Sequence, residues 1–171
     1  RRRWRAAGLR GHYSRPRLGG GRGDLADLVD ELPEALTRSL DALVVGLREG
    51  GGECAARLGC CEFRSWPMAA VYEPGSRYVW HYDNTRRDNG RLLTCVYYTN
   101  PEWTDEDGGC LRLMAPGLPE SSGAAAGPCS PPAPPRRVVA EVLPRMDTLV
   151  LFWSDAVPHE VLPPRRRSRR A

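Results

Sequence analysis

Apolar residues fall into two different periods along this chain. Over 31–49 (ELPEALTRSLDALVVGLRE), Leu32, Leu36, Leu40, Leu43, Val44 and Leu47 recur at steps of three and four, the stripe of an amphipathic helix. Asp30 can cap its start, and Pro33 fits the first turn, where its missing N–H costs nothing. Gly50-Gly51-Gly52 ends it. The stripe implies that one helix face lies against another layer, a sheet by preference. From residue 66 the pattern becomes strand-like. Met68–Tyr72, Tyr78–Tyr82, Leu92–Thr99, Cys110–Met114, Val138–Leu143, Thr148–Trp153 and Glu160–Leu162 are short, aromatic and β-branched, with Gly, Pro, Asn and Asp between them. A helix followed by a run of strands predicts a mainly β protein, an antiparallel sandwich or barrel with a supporting helix.

Two stretches have no apolar period. Residues 1–23 are Arg- and Gly-rich and read as a solvated arm; residues 115–137 (APGLPESSGAAAGPCSPPAPPRR) read as a surface insertion between strands. The expected organisation is therefore an arm at 1–23 and one domain over 24–171 that carries the insertion at 115–137.

Composition changes this picture little. Leu, Val, Ile and Phe make up only about 19% of the 171 residues, near the level of disordered chains. The net charge of +4 is small, however, and the apolar residues concentrate at 66–114 and 138–162, where they can form a core. No apolar run approaches the roughly 18 residues of a membrane-spanning helix, so a membrane partner is not expected. All 25 basic residues are Arg, and Lys, Ile and Gln are absent, a bias of the kind GC-rich codons produce. With 21 acidic residues nearly cancelling the charge, nucleic-acid binding is not indicated. The six cysteines form no CxxC pair, and no secretory signal opens the chain, so reduced thiols and a cytoplasmic or nuclear location are expected.

Of three histidines, His81 lies in Tyr78-Val-Trp-His-Tyr-Asp83. On a strand, residues i and i+2 share a side, so His81 and Asp83 would present an imidazole and a carboxylate together. His159 supplies a second imidazole far downstream, in Val157-Pro-His-Glu-Val161. Two His and one carboxylate, with open positions opposite, suit non-haem Fe(II). An HxD pair alone is a weak signal; its neighbours strengthen it. Asp155 and Glu160 flank the distal His, and either can be its orienting acceptor. The acidic run Glu102, Asp105, Glu106, Asp107 lacks calcium-loop spacing and reads as a solvated loop. Cys95 and Cys110 read as small core residues.

Four segments in this order, MAAVYEPGSRYVWHYDN, DNGRLLTCVYYTNPEW, DGGCLRLM and DTLVLFWSDAVPHEVLP, resemble the Fe(II)/2-oxoglutarate dioxygenases, and within them the prolyl 4-hydroxylases. The likeness is strongest to the cytosolic type that includes the hypoxia-inducible-factor prolyl hydroxylases, and runs from about Trp66 to the end. It implies a double-stranded β-helix (jelly roll), with the helix at 31–49 in the place of the family's supporting helix. It implies Fe(II) held by His81, Asp83 and His159, 2-oxoglutarate as co-substrate, O2 as oxidant and ascorbate as reductant. Tyr72 and Tyr98 match tyrosines of the 2-oxoglutarate pocket, Tyr78 a tyrosine near iron and substrate, and Arg91 a basic residue at the substrate mouth. The implied activity is hydroxylation of a prolyl residue in a protein or peptide substrate. Read from the residues alone, the tyrosines fit an ordinary aromatic core equally well.

The pattern departs from the family near its end. The family's co-substrate arginine comes nine residues after the distal His, where this chain has Ser168. Allowing one inserted residue, Arg169-Arg170-Ala171 matches the word and Arg169 becomes the carboxylate anchor, with Arg167 the fallback; a solvated basic tail is the other reading. The family then continues into a hydrophobic strand where this sequence stops at Ala171, so the final strand is expected to be missing and the co-substrate weakly held. Two other functions stay open at this level: a dioxygenase acting on another side chain or a small molecule, and an inactive Arg-rich binding module on the same fold.

Overall fold

The computed structural model describes residues 34–65, 67–85, 89–117, 134–135 and 137–171. The arm at 1–23, the cap residues Asp30 and Pro33, and most of the insertion lie outside the described residues. The chain divides into two units, 1–69 and 70–171.

In the first unit, α1 (Glu34–Glu49) realises the apolar stripe, with Val44 buried and Leu36, Leu40 and Leu47 half-buried, while Leu43 stays largely exposed. Gly51 and Gly52 have φ of 82° and 74°, which lets the chain reverse into α2 (Gly52–Leu58), a short helix that the residue pattern does not announce. Leu58 of α2 is fully buried, Arg48 donates to the Cys61 carbonyl at 3.2 Å, and Arg64 pairs with Asp41 at 2.9 Å.

Among the described residues the second unit has eight antiparallel strands: β1 (Val71–Tyr72), β2 (Tyr78–His81), β3 (Leu93–Tyr97), β4 (Leu111–Met114), β5 (Val138–Val142), β6 (Leu149–Trp153), β7 (His159–Val161) and β8 (Arg169–Arg170). One sheet has the order β2-β7-β4-β5; β1 pairs with β8 and β3 with β6. This alternation of early and late strands is the strand order of a jelly roll, as the sequence leads one to expect. Side chains alternate along the strands, so Val150 and Phe152 of β6 turn inward and join Tyr98, Leu111 and Val161 in the core. Tyr72, Val96, Leu113, Val142, Val157 and Ala171 pack against that cluster.

The expectation of a missing final strand is narrowed rather than overturned: the two residues that open it form β8. Residues 169–170 pair with β1, Val71 opposite Arg170 and Tyr72 opposite Arg169. Ala70 and Ala171 extend the ladder with two more bonds, of 2.7 and 2.9 Å. On the other side the Asn100 amide, just past β3, accepts from Arg170 N at 2.7 Å and donates to Arg170 O at 2.9 Å, standing in for a neighbouring strand. Cys95 is also corrected: it is exposed on β3 rather than part of the core. Among the described residues, no helix is long and apolar enough to cross a membrane.

Candidate functional site

The β2–β7 ladder creates the site. A register shift between Tyr78 and His81 sets His81 directly opposite His159, with Leu113 of β4 flanking His159 on its other side. The imidazole centroids are 4.3 Å apart. Asp83, two residues past the end of β2, brings Oδ1 to 3.5 Å from His81 Nε2 and 3.8 Å from His159 Nε2. One ligand atom from each of the three lies within 4.8 Å of the others, the sole such cluster among the described residues.

The tautomers follow from the backbone. His81 Nδ1 donates to the Val79 carbonyl at 3.0 Å, and His159 Nδ1 donates to the Val157 carbonyl at 3.1 Å. Each ring therefore keeps its Nε2 lone pair for the cluster. Burial, together with the nearby His81, holds the His159 pKa below the usual imidazole value, so this ring stays neutral. The Asp83 carboxyl is partly desolvated, which opposes ionisation, yet the adjoining His81 and Thr94 outweigh this and lower its pKa to about 2. Two imidazole nitrogens and one carboxylate oxygen converge on a single point, and that donor set fits Fe(II). Glu160, a sequence candidate for orienting His159, pairs instead with Arg112 at 2.8 Å, and the Val157 carbonyl does the orienting.

Arg169, the sequence candidate for a carboxylate anchor, is buried against Tyr98. It is 1% exposed, its Nη2 donates to the Tyr98 hydroxyl at 3.0 Å, and its Nε is buried with no partner. The guanidinium lies 4.9 Å from the ring centroids of both Tyr72 and Tyr98. Burial raises the pKa of both phenols against the pull of Arg169, so they remain neutral donors. A buried guanidinium with an unsatisfied donor calls for an anion, which is what a 2-oxoglutarate carboxylate supplies. Gly109 (φ 70°) makes room for it: a Cβ there would lie 3.2 Å from Arg169 Cδ and 3.4 Å from the Trp103 ring. Phe152 lies 4.6 Å from the His159 ring and shares the core with Tyr98.

Arg167 is placed elsewhere. It donates to both oxygens of Asp107 at 3.2 and 3.0 Å and covers Trp103 at 5.3 Å. The acidic run is correspondingly not a plain solvated loop. Residues Asp105–Asp107 form a 3-10 turn whose capping box joins Thr104 and Asp107, and Asp107 is buried. Tyr78 is half-exposed and meets His81 edge-on, with ring centroids 4.4 Å apart. Arg91 is exposed; its backbone carbonyl accepts from Asn84 Nδ2 at 2.8 Å and its N–H donates to Asn89 Oδ1 at 3.0 Å.

Residue patterns did not single out Thr94, Ser154, Asn100 or Gly109. Thr94 left a trace: it shares a strand face with Val96 and Tyr98, both in the core region, so a hydroxyl there points inward.

The fold thus describes a jelly roll that carries a cluster of two imidazoles and a carboxylate, and a buried arginine. The chain belongs to the 2OG-Fe(II) oxygenase superfamily, which matches residues 67–171. It is 42% identical to the hypoxia-inducible factor prolyl hydroxylase of Caenorhabditis elegans over 103 residues, 58% of this chain and 12% of that protein. It is 38% identical to mouse (Mus musculus) prolyl hydroxylase EGLN3 over 115 residues, 64% of this chain and 40% of that protein. The chain therefore spans less than half of these relatives. A crystal structure of a Pseudomonas putida prolyl-4-hydroxylase is 34% identical, covering 60% of this chain and 45% of that one, with a TM-score of 0.43.

Proposed function

We propose that this chain carries the catalytic centre of an Fe(II)- and 2-oxoglutarate-dependent dioxygenase that hydroxylates a prolyl residue of a protein or peptide. The observation that carries the reading is one pairing of groups: an imidazole–carboxylate–imidazole cluster, and a buried Arg169 with an unpartnered donor. Likeness to proteins named as prolyl hydroxylases supports the choice of substrate.

His81, Asp83 and His159 would hold the metal, and Arg169 with Tyr98 and Tyr72 would hold the distal carboxylate of the co-substrate. Bound Fe(II) with 2-oxoglutarate supplies O2 activation coupled to oxidative decarboxylation, with succinate and CO2 as products. The chain's own work is to orient. The Val79 and Val157 carbonyls fix both rings, and the Arg169 fork sets the direction of the diacid. The apolar bed of Phe152, Leu111 and Val161 keeps water from the space between. Tyr78, exposed beside His81, and Arg91 at the surface would meet the peptide. Ascorbate would serve to keep the metal ferrous.

The test is the 171-residue chain with Fe(II), 2-oxoglutarate, ascorbate and proline-containing peptides. Succinate release should accompany gain of one oxygen atom at proline, and His81→Ala should abolish both. Oxygen added only at another residue overturns the prolyl assignment; no succinate under any substrate overturns the enzyme.

A further inference from the structure

Asp83 has two carboxylate oxygens, and only Oδ1 faces the imidazoles. Thr94 Oγ1 donates to Oδ2 at 2.5 Å, a short charge-assisted bond. A hydroxyl has one proton, and this one is committed to Asp83. At its 2.8 Å contact with Ser154, Thr94 must therefore accept, and Ser154 must donate. Ser154 is fully buried, and its backbone is fixed on both sides: its N–H bonds to the Leu92 carbonyl at 3.0 Å, and its carbonyl accepts from Asn84 N–H at 3.0 Å. Asn84 adjoins Asp83, and Leu92 lies two residues before Thr94. The β3–β6 ladder thus anchors a relay running from Ser154 to Thr94 to Asp83 Oδ2.

We infer that Thr94, backed by Ser154, is a positioning residue that restricts Asp83 to ligating through Oδ1 alone. A carboxylate free to rotate can offer both oxygens to one cation. In a site meant to keep three positions open for co-substrate and O2, the second oxygen would take one of them. The hydrogen bond holds Oδ2 away from the metal and satisfies it at the same time. The inference rests on the proposed metal site.

Thr94→Val keeps the β-branched shape and the strand preference while removing the hydroxyl; Thr94→Ser keeps the hydroxyl. Co(II) is the probe, added to the whole chain without O2 turnover. Thr94→Val should change the visible spectrum of the Co(II)-loaded protein before any 2-oxoglutarate is present. It should also weaken 2-oxoglutarate binding to that protein by roughly tenfold or more, the low end of what losing a group behind a metal ligand costs in metal affinity or activity. Thr94→Ser should restore both. Arg169→Met should weaken 2-oxoglutarate binding and leave the Co(II) spectrum as it was, which separates the carboxylate anchor from the relay. An unaltered spectrum and affinity in Thr94→Val overturns the relay, as does a Thr94→Ser protein impaired like Thr94→Val. Absence of any protein-bound Co(II) spectrum in the unsubstituted chain overturns the metal site itself and the relay with it.

Discussion

Arg169 has the most exacting environment of any side chain in the second unit. Its charge is buried, one donor reaches Tyr98, and Nε reaches nothing among the described residues. Under the proposed function, Arg169→Met should cost about 2–5 kcal/mol of co-substrate binding, raising the KM for 2-oxoglutarate about thirtyfold or more; succinate release at graded co-substrate measures it. Arg167→Met should leave that KM little changed, because Arg167 is engaged with Asp107. The sequence narrowed the anchor to these two arginines by motif spacing, and spacing alone did not separate them. The choice depends on which arginine enters the strand paired with β1 and which stays before it against Asp107, so it is a tertiary matter. In the core, Leu111 is 2% exposed at the centre of the apolar cluster, and Leu111→Ala should lower stability by about 2–5 kcal/mol in denaturant titration.

Short strands are the recurring feature at the scale of elements. β8 has only two residues, yet it places Arg169 because β1 pairs with one edge and the Asn100 amide with the other. Asn100→Ala should cost about 1–3 kcal/mol by leaving Arg170 backbone groups unmatched, and should raise the 2-oxoglutarate KM with Co(II) affinity unchanged. The 3-10 turn is held by an ion pair with a signed pH dependence. Arg167, and then the Thr104 N–H, hold the Asp107 carboxyl well below its usual pKa. Its folded pKa is thus depressed, so the stabilisation is complete above the unfolded value near ~3.9 and is lost as pH falls below it. Melting temperature should therefore drop on acidification below about pH 4, and Asp107→Asn should have a lower melting temperature at neutral pH and a flatter acid limb. Periodicity revealed α1 and seven of the eight strands. It missed α2, too short for a helical period to show, and β8, which is made of charged residues and exists only through its partners.

For the whole molecule, the site should be linked to stability. Its candidate ligands come from β2, β7 and the segment after β2, elements that meet only in the folded state, so any cation bound there favours folding. A divalent metal at a hundredfold excess over its dissociation constant should stabilise the protein by about 2.7 kcal/mol, visible as a rise in melting temperature that a chelator reverses. The His81→Ala protein should show no such rise. The sequence by itself determined a mainly β class with a supporting helix, the three candidate ligands and, through its ordered motifs, the kinship to dioxygenases, because strand periodicity and an HxD…H pattern are local signals that survive without coordinates. Only the tertiary structure decided that His81 faces His159 across a bulged ladder, that Arg169 rather than Arg167 is buried beside Tyr98, and that a threonine and a serine stand behind Asp83. Each of those outcomes depends on strand register and on which neighbour covers which edge, and both are set by packing between residues far apart in the chain.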